Sequence, residues 1–219
     1  MANGIGQYGF GAKMHRYAEA GKYFVAKNAT AGTGLVTIAA ADALDDLETF
    51  ILVKNNNAAG SGINIYLDFL RLDQTAAGAG HTVHYFSVLL DAAQNVDRWT
   101  SGGAELTKYN VNGASQAASG AVIRGGPLVT KAAGSRRDIA TVLMRSVIGV
   151  VLDSHTFNFG STDTPGPTAL SVVSTAVTHK VYGLPPVIIG PQQHCALNVW
   201  GASMSTGAAY EVQLGYIEV

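Results

Sequence analysis

Short runs of alternating apolar and polar residues are the feature that most constrains the fold of this chain. Residues 63–72 (INIYLDFLRL) and residues 209–219 (AYEVQLGYIEV) both place an apolar side chain at nearly every second position. Successive side chains of a strand point to opposite faces, so this period predicts strands with one buried face. The side chains predicted to share the buried face of the first run are Ile63, Ile65, Leu67 and Phe69.

Comparable runs continue from residue 33 to residue 219, separated by turns rich in Gly, Asn, Ser and Pro. The length of residues 137–153 permits a helix, but their Val, Ile and Thr content favours one or two strands. Helices do not alternate with the strands, which argues against a parallel sheet. The predicted fold is therefore all-β, an antiparallel two-sheet sandwich of jelly-roll type forming one domain over residues 33–219.

Two of the predicted strands carry more specific information. Residues 121–131 contain Gly-Gly-Pro, which is typical of a bulged or edge strand. Residues 209–219 are patterned along their whole length, which indicates that they are tied into a sheet. In a jelly roll the final strand is an inner strand, so we expect this one to be paired on both sides.

Residues 1–32 differ from the remainder because closely spaced glycines separate aromatic residues. Glycine at this density opposes a helix, whereas the aromatic side chains favour burial. These residues are therefore predicted to form an extended arm that lies on its own domain or on a neighbouring subunit. The residues expected to make assembly contacts are Tyr8, Phe10, Tyr17, Tyr23 and Phe24.

The composition excludes several classes of partner. Charged residues make up 13% of the chain and the net charge is −1, with no basic stripe that would bind nucleic acid. The longest apolar run, residues 146–152, is far shorter than the roughly 20 residues of a membrane helix. We therefore expect neither nucleic acid nor membrane as a partner, and the low charge suits a surface that neighbours cover.

His194 is adjacent to Cys195, the only cysteine, and an imidazole beside a thiol is a combination found in active sites. Neighbours on a strand face opposite sides, so the imidazole is not placed to activate the thiol. Cys195 is predicted to be a buried wall residue, and His194 a polar contact at a sheet edge. His81 and His84 are three apart and His155 and His179 are isolated, so neither a metal nor another cofactor is predicted.

The remaining catalytic patterns are weak. Carboxylates cluster at Asp42, Asp45, Asp46 and Glu48, where a glycosidase pair is conceivable but a solvated turn is favoured. The chain contains no nucleophile elbow, phosphate-binding loop or dinucleotide-binding fingerprint. We therefore do not expect an enzyme.

Three segments resemble known proteins: RWTSGGAELTKYNVN (98–112), FNFG (157–160) and the closing stretch 188–219. They are similar to jelly-roll structural proteins of tailed bacteriophages, in the class of capsid decoration or cement proteins. Gly-Tyr-Ile at 215–217 is also similar to the last strand of trimeric tumour-necrosis-factor and C1q-like jelly rolls.

The resemblance implies a β-sandwich without catalytic residues that assembles, commonly as a homotrimer, on the exterior of a capsid. Its implied partners are the major capsid protein and further copies of itself, in virions assembled in the cytoplasm of a host bacterium. An alternative is a glycan-binding sandwich on a tail or fibre, with Trp99 or Trp200 as the aromatic platform.

Overall fold

A computed structural model describes residues 9–37, 44, 48–78, 84–130, 136–144, 153–160, 179–201 and 206–219. Within this part of the chain there are one helix, α1 (Gly9–Glu19), and fourteen strands. The strands are β1 (Tyr23–Lys27), β2 (Leu35–Val36), β3 (Glu48–Asn55), β4 (Ile65–Ala76), β5 (His84–Asp91), β6 (Trp99–Glu105), β7 (Thr107–Asn110), β8 (Ala121–Thr130), β9 (Arg136–Met144), β10 (Ser154–Phe159), β11 (His179–Leu184), β12 (Ile188–Ile189), β13 (His194–Gly201) and β14 (Ala209–Glu218).

The strands form two sheets, which we call sheet 1 and sheet 2. Sheet 1 has the order β11-β10-β4-β14-β1-β7, with β12 pairing with β4 and β2 with β14. Sheet 2 has the order β6-β8-β3-β13-β5-β9. Among the described strands, only β10 and β11 pair in parallel. The sheets pack face to face around one main core, which confirms the predicted all-β antiparallel sandwich.

Aromatic rings from both sheets fill the interior. Phe157 of β10 stacks on Phe86 of β5 with ring centroids 3.9 Å apart, and on Tyr182 of β11 at 4.8 Å. Phe50 of β3 contacts Tyr210 of β14 edge to face at 6.2 Å. Side chains from opposite sheets therefore interdigitate, as the two inner faces of a sandwich do.

The prediction for the last strand is confirmed, since β14 pairs with β4 on one side and with β1 on the other. Tyr210, Val212, Leu214 and Tyr216 are all fully buried, as their alternation predicts. β14 is thus a central strand that fixes the register of sheet 1.

The alternation predicted for residues 63–72 is correct for Ile65 and Leu67 but wrong for Ile63 and Phe69. Ile63 precedes the strand and is 37% exposed. A register shift places Phe69 opposite Gly215 while Leu67 lies opposite Tyr216, which is a β-bulge. The bulge turns the Phe69 ring onto the outer face, where it covers Gly215.

The Gly-Gly-Pro segment of β8 does form a bulge, since the register with β3 shifts between Thr49 and Ile51. β8 is not an edge strand, because it pairs with β3 on one side and β6 on the other. Strands β6 and β7 lie within residues 95–120, a polar stretch rich in Gly, Ser and Asn. Of residues 137–153, residues 137–144 lie in a strand, β9, as predicted.

The predicted extended arm over residues 1–32 is wrong for the residues that the structure describes. Residues 9–19 form a helix, and β1 lies inside sheet 1 between β14 and β7. The N–H of Gly21 bonds the carbonyl of Ala18, and the N–H of Lys22 bonds the carbonyl of Tyr17. With Gly21 at a φ of 67°, these bonds form a Schellman cap that ends the helix and turns the chain into β1. The boundary at residue 32 is therefore not a boundary of the sandwich.

Candidate functional site

A groove of about 350 Å³ lies beside α1, where the outer face of sheet 1 meets the core side chains Leu67 and Phe159. We call it the helix groove. Helix α1 supplies Met14 and Tyr17 on one side of it. The other lining residues are Tyr66, Leu67, Asp68, Phe159, Gly160, Pro186, Ile217 and Val219. Because Asp68 is the only Asp, Glu, Lys, Arg or His in this set, the groove can bury another apolar surface but offers little for chemistry.

A single polar contact lies beside the helix groove. The hydroxyl of Tyr23 donates a hydrogen bond to Oδ2 of Asp68 over 2.6 Å. Burial raises the pKa of Asp68, an effect that this hydrogen bond partly offsets, and burial together with the carboxylate raises the pKa of Tyr23. The contact joins β1 to the bulge of β4 and so stiffens the floor of the groove.

The structure separates the five residues predicted to make assembly contacts. Tyr17 and Tyr23 are partly buried at or beside the helix groove. Phe24 is only 3% exposed and stacks on Tyr216 in the core, so the prediction that it contacts a neighbour is wrong. Tyr8 lies outside the described residues, and Phe10 is placed in α1 by its backbone.

The outer face of sheet 2 has a different character. Two rows of side chains cross strands β13, β3 and β8 there: His194–Lys54–Val122 in one row and Ala196–Leu52–Arg124 in the next. Asp97, in the connection between β5 and β6, and Trp99, the first residue of β6, lie beside these rows. Together they enclose a cavity of about 210 Å³, which we call the cation pocket, lined by Leu52, Lys54, Asp97, Trp99, Val122, Arg124 and His194.

Charge and aromatic contacts organise the cation pocket. Nζ of Lys54 lies 3.3 Å from Oδ2 of Asp97, and Nε2 of His194 lies 3.7 Å from Oδ1 of the same carboxylate. The guanidinium carbon of Arg124 sits 3.9 Å from the centroid of the Trp99 ring, a cation–π contact. Burial and the charge of Lys54 lower the pKa of His194 to about 4, so its imidazole is neutral at pH 7.

Neither tryptophan predicted as a sugar platform is open. Trp99 has Arg124 over its ring and packs on a small cluster around Leu52. Trp200 is half-buried, stacks on Tyr85 at 4.4 Å and donates from Nε1 to Oγ of Ser87. A sugar could stack on the covered face of Trp99 only if Arg124 moved away.

The prediction that His194 and Cys195 face opposite sides is confirmed. Cys195 is fully buried in the core, and burial raises the pKa of its thiol to about 12, so it is not a nucleophile. The prediction that His194 lies at a sheet edge is wrong, because β13 is an inner strand between β3 and β5. The cation pocket could not be predicted from local sequence patterns, because it depends on β13 pairing with β3, about 140 positions away.

His155, which was predicted to be isolated, and His84 lie in a buried polar cluster between the sheets. Nδ1 of His155 lies 3.3 Å from the Tyr182 hydroxyl, and Nδ1 of His84 lies 3.3 Å from the Tyr210 hydroxyl. Burial, with the nearby charge of Lys180, lowers the pKa of His155 to about 3. Among the described residues, no three His, Cys, Asp or Glu side chains come together as a metal would require.

The remaining histidines and the carboxylate group can be placed only in part. Nδ1 of His179 lies 3.0 Å from Oγ of Ser154. His81 lies outside the described residues, as do Asp42, Asp45 and Asp46. Glu48, the fourth of the predicted carboxylates, begins β3. The glycosidase alternative therefore stays a prediction.

Comparisons with protein families, with curated proteins and with solved structures found no match for this chain. In the part of the chain that the structure describes, no helix has the length and apolar character needed to cross a membrane. A function for this chain is therefore inferred from its fold and from the two outer faces of the sandwich.

Proposed function

We propose that this chain is a structural protein of a bacteriophage virion: a jelly-roll capsid decoration, or cement, subunit. In this proposal it binds the outer surface of the capsid as a homotrimer and bridges neighbouring capsomers of the major capsid protein. Its site of action is the exterior of a particle assembled in the cytoplasm of the host bacterium. The strand order of the sandwich is the observation that carries the proposal.

Eight strands support the jelly-roll assignment when they are numbered in chain order. Strands β1, β3, β4, β5, β9, β10, β13 and β14 then become strands one to eight. The pairs are one with eight, two with seven, three with six and four with five, all antiparallel. A chain folded back on itself and wrapped into two sheets gives this order, and viral capsid proteins and lectins use the architecture.

The helix groove supports an adhesive role. It presents aromatic and aliphatic side chains on the outer face of a rigid sheet, and the chain as a whole has a net charge of only −1. Apolar surface removed from water contributes about 25 cal/mol per Å², and a standard interface buries about 1,600 Å² in total. Many such contacts repeated by symmetry would hold capsomers together against the pressure of packaged DNA.

The proposal is tested first by quantitative mass spectrometry of purified particles. A decoration subunit is expected to be abundant, at a fixed ratio to the major capsid protein. A few copies per particle would indicate a tail or fibre component instead, and absence from the particles would contradict a virion role.

The second test concerns self-assembly through the helix groove. Light scattering of the recombinant protein is expected to give the mass of a trimer, and Tyr17→Ala together with Tyr66→Ala is expected to shift it toward monomer. Tyr109→Ala is the matched control, because Tyr109 is 55% exposed on β7 and does not line the groove. A strict monomer at high concentration, or equal behaviour of the two variants, would contradict a homotrimer built on this face.

A further inference from the structure

The cation pocket on the outer face of sheet 2 has features that an assembly surface does not require. Its floor is formed by side chains of β13, β3 and β8, three adjacent inner strands, so its geometry is held by paired backbone on both sides. Sites built on strands are positioned more accurately than sites built on loops. The pocket is therefore preorganised in the absence of any ligand.

The connection that covers the pocket is also anchored. Arg98, next to both Asp97 and Trp99, is 1% exposed and its Nη2 donates to Oδ1 of Asp91 over 2.9 Å. A second bond joins Nε of Arg98 to the other carboxylate oxygen. A bidentate buried pair fixes the orientation of both side chains, so Asp97 and Trp99 are held over the pocket.

The charges in the pocket favour an anion. Lys54 and Arg124 each contribute one positive charge, while Asp97 contributes the single negative charge among the lining residues. Asp97 has a side chain that is 60% exposed, so solvent screens its pairing with Lys54. The other positive charge is that of Arg124, which stacks on Trp99 and also interacts with the exposed carboxylate of Glu105 outside the pocket lining.

His194 provides an independent observation that points to a ligand. Its side chain is only 2% exposed, and neither Nδ1 nor Nε2 has a hydrogen-bond partner. A buried polar group without a partner is unfavourable by about 1–3 kcal/mol, which is why such groups are rare. Because His194 lines the pocket, an acceptor atom bound there would satisfy one of its nitrogens.

The remaining walls are apolar and set the size of the ligand. Leu52, Val122 and the Trp99 ring line the space between the charged groups. The cavity of about 210 Å³ corresponds to the volume of about seven water molecules. This is room for a compact molecule with a short carbon skeleton, not for an extended chain.

We propose that the cation pocket binds a small organic carboxylate, with the ligand's oxygens at Lys54 and Arg124 and a hydrogen bond from His194. A guanidinium stacked on an aromatic ring keeps its in-plane donors for a carboxylate. A phosphate dianion fits less well, because Asp97 at the rim would repel its second charge. The proposal does not depend on the virion role, since it concerns the opposite face of the sandwich.

The test is an NMR titration of the protein labelled with ¹⁵N in its histidine rings and its indole groups. The probes are acetate and D-glucuronate, with D-glucose and inorganic phosphate for comparison, all at constant ionic strength. Saturable shifts of the His194 imidazole and the Trp99 indole are expected with both carboxylates and not with glucose. Glucuronate is expected to bind more tightly than acetate, because its ring contacts the apolar walls.

Matched variants separate specific binding from general attraction of anions. Lys54→Met keeps most of the side-chain length and is expected to weaken carboxylate binding about tenfold, the effect of losing one charge-assisted hydrogen bond. Lys27→Met removes the same charge from sheet 1 and should leave the affinity unchanged. Arg124→Gln serves as a second variant if Lys54→Met does not fold. Shifts that do not saturate, equal weakening by Lys54→Met and Lys27→Met, or tighter binding of phosphate would overturn the proposal.

Discussion

The two outer faces of the sandwich are built on the same interior yet present opposite chemistry. Sheet 1 carries the helix groove of about 350 Å³, where Asp68 is the only Asp, Glu, Lys, Arg or His among the ten lining residues. Sheet 2 carries the cation pocket of about 210 Å³, where four of the seven lining side chains are ionisable. The strands of both sheets alternate in the same way, so the difference arises mainly from which side chains the strands point outward. On sheet 2, strands β3, β8 and β13 supply Lys54, Arg124 and His194.

On sheet 1 the covering element is α1, which contributes the apolar side chains of Met14 and Tyr17. On sheet 2 the connection from β5 to β6 contributes the carboxylate of Asp97, and the first residue of β6 contributes the indole of Trp99. One face is therefore suited to burying another apolar surface, and the other to holding a charged group. Substitutions on either face can therefore test this difference.

The largest effect is expected when the connection over the cation pocket loses its anchor. Asp91→Asn leaves the charge of Arg98 buried without its ionic partner, which is expected to lower the free energy of unfolding by about 3–5 kcal/mol. Desolvation alone would raise the pKa of Asp91. The pKa is nevertheless lowered, because Arg98 and the N–H of Ala93 donate hydrogen bonds to the carboxylate. Urea unfolding at pH 7 measures the loss.

The matching variant replaces both partners, Asp91→Leu with Arg98→Met. Removing the whole buried pair is expected to restore most of the stability, because no charge is left unpaired. If Asp91→Asn were as stable as the unaltered chain, the anchor would not hold the sheet 2 face as described.

The second effect is a loss of stability in mild acid. The folded-state pKa is about 3 for His155 and about 4 for His194, both below the ordinary value of 6.5. The unfolded chain therefore binds more protons below pH 6.5, so stability is full above that value and falls as the pH drops. Each histidine is expected to remove up to about 1.4 kcal/mol per pH unit in this window.

Urea midpoints between about pH 7.5 and pH 4.5 check this expectation while most carboxylates remain ionised. His194→Gln removes the histidine of the sheet 2 face and is expected to halve the change of the urea midpoint with pH. The remaining half is the contribution of His155 in the interior. A midpoint that stays constant over this range would show that neither histidine is buried as a neutral ring.

The smallest effect is expected on the sheet 1 face. Gly215→Ala would place a methyl group against the Phe69 ring and the Tyr23 hydroxyl at the bulge. The ring is only partly buried and can shift, so the loss is expected to be about 1 kcal/mol, at the low end for overpacking. Gly113→Ala is the control, since nothing lies within 4 Å of the added atom there. Thermal unfolding compares the two, and equal midpoints would mean that the bulge does not close the floor of the groove.

The sequence was sufficient for the features that depend on local alternation. The two-sheet sandwich, the inner position of β14 and the burial of Cys195 all follow from side chains that point to opposite faces at successive positions. The wrong prediction for Phe69 has the same origin, because a bulge inverts the alternation. Nothing within residues 63–72 indicates the bulge, which is recognised only once Gly215 is known to lie opposite Phe69.

The helix shows a different kind of failure. The density of glycine over residues 1–32 argued against helix, although residues 12–19 (AKMHRYAE) are mostly good helix formers and Gly21 follows at the capping position. That signal was present in the sequence. The cation pocket was not accessible in this way, because the row His194–Lys54–Val122 exists only once three distant strands are in register.

The most direct test of the proposed division between the two faces is hydroxyl-radical footprinting of two samples: the recombinant protein, diluted until light scattering shows a monomer, and the same chain in purified particles. We predict that Met14, Tyr17 and Tyr66 lose reactivity in particles, because the helix groove becomes an interface, while Trp99 keeps the reactivity it has in the free protein. Unchanged reactivity at the groove, or protection of Trp99 instead, would contradict the assignment of sheet 1 as the adhesive face.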